Sequence, residues 1–188
     1  QVESDSGGVP SGDDSVIDMG GDRYTVGRPH PMIDFRARCE ALVQEAGDPE
    51  VGVVLLDVIL GYGSHPDPAS ELVPALLEAQ AVARKAGRQL AWVVALCGSP
   101  DDPQNLDQQQ KALIDAGAIV VHSNALAARI ASASATRRIE SASAFALSRA
   151  LLAPASLRSS LPGFPLRVKQ IELVLFGEEF CAAQLDLH

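Results

Sequence analysis

The sequence predicts an α/β domain, a parallel sheet in three layers with helices on both faces, and three observations lead there. Residues 51–60 (VGVVLLDVIL) and 90–96 (LAWVVAL) are apolar almost throughout, the composition of strands covered on both faces rather than one. Each leaves through a glycine corner, Gly61-Tyr62-Gly63 and Gly98, and helical periodicity resumes a few residues later. The alternation then repeats with short connections, and βαβ units joined that way build parallel sheets with right-handed crossovers.

In chain order, residues 1–14 are rich in Gly, Ser and Asp and are expected to be a flexible leader. Residues 15–19 (SVIDM) read as the first strand, ending at Gly20-Gly21. Pro29 and Pro31 hold GRPHPMIDF extended, and over 33–46 Ile33, Ala37, Ala41 and Leu42 recur at helical spacing, closed by Gly47-Asp48-Pro49. After the strand at 51–60, residues 68–86 are helical with Gly87 at the end, and Pro74 either belongs to the first turn or marks a kink. The strand at 90–96 is followed by a polar loop at 101–105, a helix at 106–116 closed by Gly117, and a short strand at 118–121. Ser123 then N-caps a helix to about 131. The main domain is therefore expected at 15–135. Residues 136–165 read as a helix near 138–152 and a Pro/Ser-rich linker, and 166–188 as a strand, glycine turn and helix start that open a further, truncated segment.

Composition narrows the function. At 188 residues and 47% hydrophobic, the chain suffices for one core rather than two. A formal charge of -9 with scattered Lys and Arg argues against nucleic acid, whose binding draws on clustered cations, and the Arg137-Arg138 pair reads as a solvated helix end. Cys39, Cys97 and Cys181 are widely spaced and odd in number, so neither a metal site nor a disulfide framework is indicated, which fits a reducing cytoplasm. No apolar run approaches the ~18 residues that cross a bilayer, so no membrane partner is expected. The Walker loop and the complete dinucleotide fingerprint are both absent.

Chemistry in an open parallel sheet belongs at the carboxyl ends of the strands. Three glycine corners gather there: Gly20-Gly21-Asp22, Gly61-Tyr62-Gly63-Ser64-His65 and Cys97-Gly98-Ser99. The middle one suits an anion, phosphate or carboxylate, because glycines admit a ligand to the backbone and the following helix offers unpaired N–H groups and the positive end of its dipole. Ser64 adds a hydroxyl and His65 a switchable proton, which makes His65 the candidate catalytic group. The alternative is that the glycines only turn the chain and His65 faces solvent. His30, framed by two prolines, is a further candidate. Asp57, inside an apolar strand, must lie near the exposed carboxyl end or bond to a loop N–H. Cys97 reads as an inert thiol and Asp101-Asp102 as a solvated turn.

The segments VIDMGGDRYTVGRPHPMID and VGVVLLDVILGYGSHPDPASELVPAL resemble the FdrA group of proteins, acyl-CoA synthetase-like, which belong with the C-terminal ligase domains of succinyl-CoA synthetase. The likeness runs over 15–131, with a fainter echo in IELVLFGEEF. It implies a flavodoxin-like fold in which a glycine-led corner holds a phosphate while an acyl phosphate is exchanged for a CoA thioester. Carried over, Gly61, Gly63 and Ser64 match the phosphate-side corner, and Gly20, Gly21 and Asp22 the Gly-Gly-Asp corner. The ligases' phosphorylated histidine follows the third strand, where this chain has CGSPDDPQNL with no histidine, and the glutamate preceding their glycine corner is replaced by Val58-Ile59-Leu60.

The resemblance implies a ligase domain that is incomplete for catalysis alone. CoA and ATP or another nucleotide would be handled by other domains or subunits of an oligomer, with a small carboxylate or acyl phosphate as the partner here and no cofactor held by this chain. Because the phosphohistidine segment is missing, the alternative is a noncatalytic or regulatory subunit of a carbamoyltransferase or allantoin–oxamate catabolic complex.

Overall fold

The structure, a computed structural model, describes residues 15–135 and the strand Arg167–Glu172. The expected leader, the helix near 138–152 and the linker lie outside the described residues. Five strands form one parallel sheet: β1 (Ser15–Asp18), β2 (Val51–Ile59), β3 (Ala91–Cys97), β4 (Ile119–Val121) and β5 (Arg167–Glu172). The helices are α1 (Asp22–Thr25), α2 (Arg36–Gly47), α3 (Pro68–Lys85), α4 (Leu106–Asp115) and α5, described over 124–135.

Both faces of the sheet are covered, as the unbroken apolar runs required. Val54, Leu56 and Val58 of β2 and Trp92, Val94 and Leu96 of β3 share one core with Leu42 of α2, Leu72 and Leu76 of α3 and Leu113 of α4. The intervening residues Val53, Leu55, Val93 and Ala95 face the other way, onto Ala127, Ala131 and Ala135 of α5. Strand alternation thus sorts consecutive residues into two layers. The register slips between Val51 and Val53, an irregularity that lets Val51 join the first core although its neighbours of the same parity join the second.

The strand order is β1-β5-β2-β3-β4. Arg167–Glu172, expected to open a further segment, runs between β1 and β2 in this same sheet. In chain order this is 1-5-2-3-4, a circular permutation of the flavodoxin-like order 2-1-3-4-5 in which the last strand takes the place of the first. A second consequence is spacing. The ends of β1 and β2 stand two strands apart, about 10 Å at ordinary interstrand distances, so the two glycine corners do not adjoin.

Two local expectations shift. The second helix starts at Arg36 rather than Ile33, because Asp34 Oδ1 accepts the Arg36 N–H at 3.0 Å and ends the loop there; Ile33 stays 50% exposed. Of the expected apolar positions Leu42 is fully buried and Ala37 and Ala41 pack half-buried against the core, and the buried face of α2 also takes in Arg38, Glu45 and Ala46. α3 runs unbroken from Pro68, in its first turn, through Pro74 to Lys85.

Candidate functional site at the carboxyl rim

All strands being parallel, the loops after β1, β2, β3 and β4 leave on one side. The corner after β2 is the most constrained. Gly61 and Gly63 have φ of +118° and +87°, a region that side chains disfavour, although a Cβ on Gly63 would meet no atom within 4 Å. Backbone conformation, not space, therefore selects glycine there. Gly98 is chosen for the opposite reason: its Cβ would lie 2.9 Å from Leu60 Cδ1, so the corners after β2 and β3 pack backbone against side chain.

Gln104, from the loop after β3, braces this corner. Its Oε1 accepts the Gly61 N–H at 3.0 Å, and its Nε2 donates to Gly61 O at 2.9 Å, Ser64 Oγ at 3.2 Å and His65 O at 3.1 Å. Ser64 Oγ donates to Gly61 O at 2.7 Å. Gln104 is buried, and neither it nor its role was evident from the polar stretch CGSPDDPQNL. In that stretch Ser99 N–H donates to Asp102 Oδ2 at 2.6 Å, so Gly98 and Ser99 form a self-contained turn beside Gly61.

The amide end of α3 differs from expectation. Its first-turn N–H groups are already engaged: Asp67 Oδ1 accepts from Ser70 at 3.2 Å, Gln109 Oε1 accepts from Ala69 at 2.8 Å, and Pro68 has none to give. Gln109 Nε2 in turn donates to Asp67 Oδ1 at 2.9 Å. Among the described residues, the donors of this corner left to meet a ligand are the Tyr62 and Gly63 amides and the imidazole of His65.

The loop after β1 comes to meet that imidazole. Gly20 N–H is held by Asp18 Oδ1 at 2.8 Å, Gly21 O accepts the Tyr24 N–H at 2.9 Å, and Asp22 begins the four-residue α1. Beyond it, GRPHPMID carries the chain across to the β2 corner, where His65 N–H donates to Met32 O at 2.9 Å. The two segments that carry the family resemblance are thus hydrogen-bonded to one another. His65 Nδ1 accepts the Asp67 N–H at 3.1 Å, and its ring packs edge-on against Phe35, centroids 5.6 Å apart. His30 Nδ1 accepts the Met32 N–H at 3.3 Å.

Phe35 links the rim to a buried ion pair. The Arg38 guanidinium lies 5.0 Å from the Phe35 ring centroid, bonds Asp57 Oδ1 at 3.0 Å and also donates to the Asp57 carbonyl. Asp57 Oδ1 is thus met by a cation from α2 within the core rather than by exposure at the strand end. Burial pushes the Arg38 pKa down while Asp57 opposes it. At the surface, the Arg36 guanidinium and backbone N–H hold the Asp34 carboxyl down at about 2, with a smaller contribution from His65.

A groove of about 600 Å³ also opens between α2 and α3, floored by Val43, Pro74 and Ala75 and edged by Glu40, Glu71 and Glu78. Its acidic edge does not suit an anion. Cys39 in that groove is pushed up to about 11, chiefly by burial, and is an inert thiol. Among the described residues no cluster of three or more His, Cys, Asp or Glu is placed to hold a metal ion, and no helix is long and apolar enough to cross a membrane.

A parallel sheet covered by helices on both faces, with a rim built from glycine corners and paired His-Pro segments, defines a doubly wound α/β domain. Residues 7–134 match the CoA-ligase family, and the chain belongs to that family. It is also 42% identical over 110 residues to the uncharacterized protein YahF of Escherichia coli K12, covering 58% of this chain and 21% of that one. The chain thus spans about a fifth of the length of this curated relative.

Proposed function

We propose that this domain is the ligase-type module of an FdrA-type acyl-CoA synthetase, in which the rim of His30, Gly63, Ser64 and His65 receives a small carboxylate or its acyl phosphate. One observation carries the reading: GRPHPMID and GYGSHPDP, which carry the resemblance, meet through the His65 N–H to Met32 O bond at the rim where such sheets bind ligands. The residues suit anion capture without a covalent relay. In the stretch corresponding to the ligases' phosphohistidine segment this chain has CGSPDDPQNL, within which the Gln104 carboxamide holds the glycine corner in shape. CoA and ATP or another nucleotide are brought by other ligase domains or subunits of a cytoplasmic oligomer, and the role of this chain is to orient the oxygens that change partner.

The test uses the full-length parent protein with CoA, ATP or GTP and a panel of small carboxylates, thioester being trapped as hydroxamate. Turnover that disappears in Gly63→Asp, which sets a carboxylate beside the free amide, supports the reading. Failure of the unsubstituted parent both to bind CoA and to form any thioester removes it.

A further inference from the structure

Two short segments of the rim share one construction. In His30-Pro31-Met32 the Met32 N–H donates to His30 Nδ1 at 3.3 Å, and in His65-Pro66-Asp67 the Asp67 N–H donates to His65 Nδ1 at 3.1 Å. Proline has no N–H, so the amide two residues on is the first donor each ring can meet, and each His-Pro pair fixes its ring against its own backbone. A backbone amide can only donate. Each Nδ1 must therefore present its lone pair, and in the neutral ring the proton then resides on Nε2.

The two rings are tied together through a single residue. Met32 holds His30 with its N–H and accepts the His65 N–H with its carbonyl at 2.9 Å. Both rings are half-buried, and neither Nε2 has a hydrogen-bond partner among the described residues. The nearby carboxylate of Asp34 is forked onto Arg36, at 3.0 and 2.9 Å from Nε, so it sets no bare negative charge against a ligand.

We propose that His30 and His65 form a paired-donor site in which two tautomerically fixed Nε2–H groups bind the oxygens of one anion, a carboxylate or a phosphoryl group. This rests on the reading that the rim receives the acyl substrate, and it assigns that substrate's oxyanion to these two rings. It also sets their role. A nucleophile, a general base or a metal ligand uses a ring lone pair, and the one that each ring has is already committed at Nδ1. His65 is thus a hydrogen-bond donor to the substrate rather than the acid–base group or phosphoryl carrier that a lone histidine at a glycine corner invites.

Ring nitrogen–proton correlation spectra of the ¹⁵N-labelled protein test this directly. Both rings are expected as the Nε2–H tautomer, and titration with inorganic phosphate or, separately, acetate is expected to move both Nε2 signals together; the tighter arm assigns the anion. His30→Ala and His65→Ala are each expected to weaken binding about tenfold. His65→Gln, whose amide N–H can stand near Nε2, is expected to keep most of it. An Nδ1–H tautomer at either ring, or signals unmoved by both anions, overturns the proposal, and because these are read on the unsubstituted protein no misfolded variant can imitate that result. Anion binding at the rings in a parent that makes no thioester would remove the ligase reading and leave this site standing. Thioester formation that survives both alanine substitutions would do the reverse.

Discussion

Gln104 and Gly61 are joined as two peptide groups are joined in a sheet: the glutamine Oε1 accepts the glycine N–H at 3.0 Å and its Nε2 donates to the glycine carbonyl at 2.9 Å. A side chain from the loop after β3 thereby supplies the partner that the Gly61 N–H does not find in its own turn and a further donor to a carbonyl that Ser64 also meets. Gln104→Ala leaves the Gly61 N–H without its partner, while Ser64 still meets the carbonyl, and is expected to cost about 2 kcal/mol in urea unfolding. Gln104→Glu should cost more, since an oxygen would replace Nε2 opposite Gly61 O, Ser64 Oγ and His65 O. Equal stability of the two variants would count against the donor role of Nε2.

The pair of Arg38 and Asp57 makes a contrasting prediction, because both groups are buried and charged. Removing one member strands the other: Arg38→Met or Asp57→Val alone is expected to destabilise by about 3–5 kcal/mol. The double substitution, which replaces the charges with apolar volume, should recover most of that loss. A double variant whose loss equals the sum of the two singles would show that the residues act independently, and the ion pair would then not explain the burial of either.

The strands, their burial on both faces and the glycine corners were legible in the sequence because each depends on neighbours close along the chain. Apolar runs declare two covered faces, and Gly61 and Gly63 declare a turn that side chains resist. What could not be read were the partners that come from far away. Arg38 looks like a solvated helix residue until α2 is laid against β2, 19 positions on. Gln104 sits in a loop of polar residues, and only the fold brings it 43 positions back to Gly61. Gln109 likewise closes the α3 amide end that sequence alone would leave open. One signal was local after all: His-Pro followed by a residue with a free N–H occurs twice, and that spacing already implied a fixed ring.

Gly63 and Gly98 should separate backbone strain from steric overlap. Gly63→Ala meets open space but must hold φ at +87°, for which a loss of about 1–2 kcal/mol is expected whatever its neighbours. Gly98→Ala adds a Cβ 2.9 Å from Leu60 Cδ1 and 3.0 Å from its Cγ and Cβ, so its penalty should shrink when Leu60 is shortened to Ala, which removes the first two contacts, while that of Gly63→Ala should not. Double-mutant cycles on thermal or urea unfolding measure the two couplings. A Leu60→Ala background that relieves both substitutions alike, or neither, would mean that the corners are not packed in this way.

Asp34 gives the pH dependence. Its carboxylate accepts hydrogen bonds from the Arg36 side chain and the Arg36 N–H, and these hold its pKa near 2 against an ordinary 3.8, with burial acting weakly the other way. A carboxyl whose folded pKa lies below its unfolded one binds fewer protons in the folded state. Its contribution is therefore complete above about pH 4 and is lost as pH falls toward 2. The pair is exposed, so added salt should weaken the effect. A carbon-detected NMR titration of the Asp34 carboxyl is expected to inflect near 2 in the native protein and to move toward 3.8 in Arg36→Gln. An inflection that stays near 2 after that substitution would assign the depression to the backbone N–H of residue 36, which glutamine keeps, rather than to the guanidinium.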